Sequence, residues 1–393
     1  MSQRPISRSP DLLQLRSEGY ELEVRAGHLL VGNVPYVRPD RSVGRGILVM
    51  ALNLAGEVAR PPDTHVAYWY GEFPCNAQGV PMSEMGNPGE SHPVDAELTA
   101  GHMFSRKPQP NRNYIDYHEK VVTLVGLLEG QARLVDPTAS ARSFRPARTS
   151  AGESVFQYAE TASARAGISA ATQKLEGGKV AIVGLGGTGS YVLDFVAKTP
   201  VSEIHLFDRD EFLTHNAFRA PGAPSLDELN RLPSKVARFA SIYSNMHRGV
   251  ISHEAFIDEG NLGELPGMEF VFLCLASGPA KRRVVEHLIA NRIPFVDTGM
   301  GLYDHDNALG GIARATHVTS TKNDHVSTRI PMAEDEPGEY DRNIQIAEVN
   351  ALNAALAVIR WKKDRGFYVD IGHENSSMYT IATNELDNTD AAD

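Results

Sequence analysis

Cysteine is nearly absent. Cys75 and Cys274 are the two thiols in 393 residues. So few and so far apart, they supply neither a disulfide framework nor the paired thiols of a zinc site. Long apolar runs are lacking too. No stretch reaches the roughly 18 apolar residues that would mark a membrane-spanning helix. The opening MSQRPISRSPDLLQL has no leader-like apolar segment. A cytoplasmic location is therefore expected. Positive charge is in deficit, with 38 Lys and Arg against 49 Asp and Glu, so neither nucleic acid nor an anionic membrane is expected as a partner. The 42% hydrophobic content is that of an ordinary globular chain, and the length suits two domains.

The two halves differ in texture. In the first, DLLQLRSEGY reads as a short helix. GHLLVGNVPYV, GILVMALNLAG and HVAYWYGEF then read as strands bounded by turn residues. Residues 75–112, rich in Gly, Pro, Ser and Asn, are expected to be loop, and YIDYHEKVVTLVGLLEGQARLV to be a helix. Residues 1–135 thus form an α+β domain of unassigned role, and 136–157, rich in Ser, Ala, Arg and Pro, read as a linker. Strands and helices then alternate: KVAIVGLG, SYVLDFVAKTP, EIHLFDRD, a helix within LNRLPSKVARFASIYSNMH, MEFVFLCLAS, AKRRVVEHLIANR and IPFVDTGMG. That alternation implies a Rossmann-like, mostly parallel sheet with helices on both faces over 158–385. The last helix, within NIQIAEVNALNAALAVIRWKK, places Val349, Leu352, Leu356 and Ile359 on one stripe, expected to pack in the core. Residues 386–393 read as a frayed acidic tail.

Gly184, Gly186 and Gly189 make G-x-G-x-x-G, with Gly187 as an extra glycine, between a strand and a helix. Such glycines let the backbone approach phosphates, and the helix start offers free N–H groups. Asp208 ends the next strand about 20 residues on, where an acid hydrogen-bonds a ribose hydroxyl. An ATP-binding protein and an NAD-dependent oxidoreductase both fit these features. The segment that follows separates them: Asp208-Arg209-Asp210, then Asn216-x-x-Arg219, then Lys235 opening the next helix.

With glycine loop, D-x-D, N-x-x-R and helix-opening lysine together, residues from about 160 to 365 resemble the ThiF-type adenylyltransferases. These are bacterial relatives of ubiquitin-activating enzymes. The resemblance does not extend to the first 150 residues, whose element order is only loosely similar to a ubiquitin-conjugating-enzyme domain. It implies ATP and Mg²⁺ as cofactors. The cargo would be the C-terminal tail of a ubiquitin-like or sulfur-carrier protein, converted to an acyl-adenylate. It places Asp208 on the ribose, with Asp210 nearby, and Asn216, Arg219 and Lys235 around the triphosphate. Family members form homodimers in which an arginine from just before the glycine-loop strand reaches the partner's site, and Arg165 is the candidate here.

Two departures bear on activity. The family has a Mg²⁺-binding aspartate after the fourth buried strand. Here the stretch reads FLCLASG, and Ala276 stands at that position. Alanine cannot ligate a hard cation. Three alternatives stay open: a non-catalytic relative, compensation by another acid such as Asp297, or a deliberate replacement. In addition, residues 299–393 contain no cysteine to take over the activated carboxyl. Thr316, Thr319, Ser320, Thr321, Ser327 and Thr328 lie there instead, and Cys75 is the remaining thiol outside the sheet domain.

Overall fold

The computed structural model describes residues 4–391, apart from 109, 111, 148, 150, 258, 259, 266 and 333–343. It divides into two compact units. One comprises Met1–Ser154 with Tyr158–Ile168, the other Val155–Gln157 with Ser169–Asp393. No helix among the described residues is long and apolar enough to cross a membrane.

The N-terminal unit begins with two short helices, α1 (Arg4–Arg8) and α2 (Pro10–Ser17). Strands β1 (Glu21–Arg25), β2 (His28–Val37) and β3 (Val43–Ala51) follow. A small hairpin of β4 (Leu54–Ala55) and β5 (Val58–Ala59) leads to β6 (Val66–Tyr70), β7 (Gly86–Pro93) and β8 (Thr99–Ser105). The six longer strands form one antiparallel sheet in the order β1-β2-β3-β6-β8-β7. Helix α3 (Tyr117–Val135) starts at Asp116, whose carboxylate accepts the Glu119 N–H at 2.8 Å. It buries Val121, Leu124, Val125 and Leu128 against Val31, Tyr36, Leu48, Trp69 and Phe104. Helix α4 (Ala162–Arg165) also belongs to this unit.

Two expectations are corrected here. Residues 75–112 are not all loop. The segment Gly-Asn-Pro-Gly-Glu-Ser-His-Pro pairs with β8 as β7. Nothing in its own composition favours a strand, so it is the neighbouring strand that holds it extended. The expected linker groups with the N-terminal unit as far as Ser154. Ala139 and Ala141 are fully buried, and Arg45 Nη1 donates to the Ser140 carbonyl at 2.6 Å.

In the C-terminal unit a short helix α5 (Ser169–Thr172) precedes β9 (Gly177–Val183), α6 (Gly187–Val196) and β10 (Val201–Phe207). Short helices α7 (Thr214–Ala217) and α8 (Leu226–Asn230) lead to α9 (Lys235–Tyr243). Then come β11 (Val250–His253), β12 (Phe270–Leu273), α10 (Pro279–Ala290), β13 (Phe295–His305) and β14 (Ala308–Val318). The unit closes with α11 (Val326–Arg329), α12 (Ala347–Asp364), β15 (Ser376–Thr380) and β16 (Glu385–Thr389). The eight strands run β11-β10-β9-β12-β13-β14-β15-β16. The first five are mutually parallel and the last three antiparallel. Strands β9 and β12 are buried on both faces, the reason their sequences are continuously apolar. Val180 and Ile182 face α6, α9 and α12, while Ala181 and Val183 face α10.

Of the residues expected as a frayed tail, Leu386 to Thr389 instead extend the sheet by pairing with β15, and 392 and 393 lie outside the described residues. The last helix is also turned differently. Its inward face is Asn350, Asn353, Ala354, Ala357, Val358 and Trp361; of the expected stripe Leu356 packs, partly buried, against the core, whereas Ile359 is 42% exposed. Positions 350, 353, 354, 357 and 361 make as regular a helical stripe as the apolar one. The small side chains of Ala354 and Ala357 within it allow α12 to lie close on the sheet domain's core.

Candidate active site

The direction of winding reverses at β9, which has β10 on one side and β12 on the other. Crevices at such a reversal, at the carboxyl ends of the strands, are where open α/β sheets hold ligands. Residues 184–189 leave β9 at that point. Gly184 turns at φ 91°, and a Cβ there would press on the Cys274 carbonyl. At Gly187 a Cβ would overlap the Asn350 amide, and at Gly189 the Gly184 carbonyl. In front of Gly186 the space is open. Gly186 caps α6 with no side-chain hydrogen bond, and no acid lies in the first turn. The helix start therefore keeps its N–H groups and positive end available to an anion.

Asp208 sits where β10 ends, with its side chain 6% exposed. One carboxylate oxygen accepts the Leu185 N–H at 2.7 Å and the other the Asp210 N–H at 2.8 Å. It thereby ties the glycine loop to the D-x-D turn. Lys235, at the start of α9, reaches Asp210 at 2.6 Å and Asp208 at 3.5 Å. The Ser234 hydroxyl caps the same helix by accepting the Ala237 N–H at 3.3 Å. Asn216 is buried and accepts the Leu213 N–H at 2.8 Å, which closes the turn carrying Arg219. Arg219 has no acidic partner among the described residues, and its buried Nε has no hydrogen-bond partner. Burial holds its guanidinium below the ordinary range. His215, on the same turn, is held low by burial and by the charges of Arg219 and Lys235. The Arg219 guanidinium and the start of α6 are groups of the kind that receive an anion.

Arg165 is exposed on α4 and belongs to the N-terminal unit. Ala276 lies in the loop after β12. Asp297 is fully buried in β13, paired with Lys281 at 2.6 Å and Arg314 at 2.7 Å. Burial pushes its carboxyl up against the pull of those two cations. A carboxylate so enclosed is not presented to a metal. No group of three His, Cys, Asp or Glu side chains that could hold a metal occurs among the described residues. The residues present therefore fit a nucleotide's phosphates but not a protein-held Mg²⁺. Thr316 is buried within β14, and Cys75 is buried with its thiol pushed up by desolvation. Cys274, under the glycine loop, is pushed up to about 12 by burial. Neither thiol is prepared as a nucleophile.

Residues 158–356, about half of the chain, match the ThiF family, and residues 10–161 match a domain of unknown function, DUF6791. The chain belongs to the ThiF family, with the adenylyltransferase-type fold in its C-terminal half. Among solved structures, E. coli MccB with MccA-N7isoASN aligns at 19% identity and a TM-score of 0.45, covering 56% of this chain and 66% of that one. E. coli MccB with ATP aligns at 18% and 0.43, covering 56% and 66%. A selenomethionine structure of PaaA aligns at 16% and 0.43, covering 56% and 66%. The chain thus spans slightly less than two thirds of these proteins. No curated protein matches it.

Two residues that sequence reasoning missed stand in the site, Thr188 and Asn350. Thr188 lies between the motif glycines, and Asn350 is a polar residue on a helix whose apolar residues drew attention to the other face.

Proposed function

We propose that the C-terminal unit binds ATP and activates the C-terminal carboxylate of a ubiquitin-like or sulfur-carrier protein. A carboxylate oxygen of the carrier attacks the α-phosphorus of ATP. The new bond joins that oxygen to phosphorus, the bond from the α-phosphorus to the bridging oxygen breaks, and pyrophosphate leaves with its electron pair. The product is an acyl-adenylate. No side-chain nucleophile is needed, so the protein's contribution is placement and charge. Two anions meet in this step. Arg219, whose buried Nε has no hydrogen-bond partner among the described residues, with the uncapped start of α6, is the observation that carries the reading. Lys235 supplies a second cation, and Asp208 keeps lone pairs for a ribose hydroxyl. Mg²⁺, when present on the nucleotide, would neutralise phosphate charge, and the described residues offer it no dedicated ligand set.

Exchange of labelled pyrophosphate into ATP, with a candidate carrier, tests this. The parent chain is expected to exchange slowly, and Ala276→Asp to raise the rate by about a hundredfold or more through a metal ligand. Absence of exchange in both, with the carrier bound, would favour the second reading that Ala276 supports: a non-catalytic binder of nucleotide and carrier. No observation favours an NAD-dependent oxidoreductase, for which Arg219 and Lys235 would have no task.

A further inference from the structure

The inward face of α12 carries amides where apolar side chains were available on the same helix. Asn350 is 0% exposed and Asn353 1%. Burying a polar group without partners costs about 1–3 kcal/mol, and a polar group with partners gains little over an apolar one that packs. A helix that turns Ile359 outward and Asn350 inward has given up apolar burial for something else. Local choices that run against packing mark positions held for function.

The partners of Asn350 identify what is held. Its Oδ1 accepts the Thr188 hydroxyl at 3.0 Å, and its Nδ2 donates to the Arg219 carbonyl at 3.4 Å. Its amide fills the space that a side chain at Gly187 would need. Three segments remote in sequence meet on this one side chain: the first turn of α6, the N-x-x-R turn and α12. Asn353, one turn further, donates to the Gly299 carbonyl at 3.0 Å, continuing the seam to β13. These contacts fix the spacing between the free N–H groups of α6 and the backbone that carries the Arg219 guanidinium.

We infer that Asn350 is a positioning residue for the triphosphate, bracing the glycine loop and the Arg219 turn so that both address the same phosphate groups. This rests on the ATP reading above. Asn350 touches no phosphate itself, and the adenosine end of the nucleotide does not depend on it.

The test compares ATP with adenosine on the full chain, by displacement of a fluorescent ATP analogue, with and without magnesium. Asn350→Leu keeps the volume and removes both hydrogen bonds. It is expected to weaken ATP about tenfold while leaving adenosine unchanged. Thr188→Val should weaken ATP less, and the double variant no more than Asn350→Leu alone, since the two act through one contact. Unchanged ATP affinity in Asn350→Leu would overturn the inference, as would an equal loss for ATP and adenosine, which is what general distortion produces. Should Asn350→Leu fail to fold, unchanged ATP affinity in Thr188→Val overturns it by itself. A parent chain that binds no ATP removes the nucleotide reading, and the inference with it. That result is distinct from a parent that binds ATP through a loop indifferent to Asn350.

Discussion

Both units of the molecule bury lysines, and the most deeply buried of each, Lys120 and Lys281, are kept in opposite ways. Lys120, on α3 of the N-terminal unit, is fully buried and donates to the carbonyls of Thr64 at 2.9 Å and Val66 at 2.8 Å. No acid compensates it among the described residues, and desolvation lowers its pKa to about 8. Lys281, on α10 of the C-terminal unit, is 2% exposed and faces Asp297, which also takes Arg314. Neutral acceptors suffice where a cation only pins strand β6 to a helix. A full carboxylate is present where two cations are drawn in below the loop that carries Cys274 and Ala276. The N-terminal unit uses charge as a fastener, whereas the C-terminal unit accumulates it near the carboxyl ends of its strands.

The contrast can be broken most severely at Asp297. Asp297→Asn leaves Lys281 and Arg314 buried without their counter-charge. Removing one partner of a buried pair typically costs about 3–5 kcal/mol. Urea denaturation followed by a probe in the C-terminal unit should show a loss of that size. A loss below about 1 kcal/mol would mean that water reaches the triad.

A smaller effect is expected at Lys120, and it depends on pH. Its folded pKa of about 8 lies below the value of about 10.4 for an unfolded lysine. Below pH 8 both states hold the proton, and the cost of burying the charge is constant. Between those two values the unfolded state binds more protons than the folded one, so stability rises with pH. The rise is worth up to about 3 kcal/mol. In Lys120→Met this increment should vanish. Midpoints of urea denaturation for parent and variant, compared at neutral and alkaline pH, check it. Parallel curves for the two proteins would show that Lys120 does not titrate as described.

Much of the C-terminal unit was legible because its signals are local. Strand β9, the glycine turn, α6 and β10 follow one another without a gap, and Gly189 is needed for a contact within that stretch, with the Gly184 carbonyl. Asp208 follows the same logic, since its partners Leu185 and Asp210 are close neighbours in the fold and in the motif. What was not legible depends on distant partners. β7 is a strand because β8 holds it. α12 shows its asparagines inward because Gly187 leaves room for one of them. Asp297 looked like a spare metal ligand until Lys281 and Arg314 closed on it. Periodicity reports that a face exists. It does not report which of two regular faces a neighbour will accept.

The central claim is that this glycine loop, with Arg219, serves ATP. Calorimetric titration of the full chain with ATP and with NAD, repeated on Arg219→Ala, tests it most directly. ATP should bind to the parent more tightly than NAD. Its affinity should fall by about tenfold or more in the variant, as expected for losing a hydrogen bond to a charged group. NAD bound as tightly as ATP, or an ATP affinity indifferent to Arg219, would contradict the account.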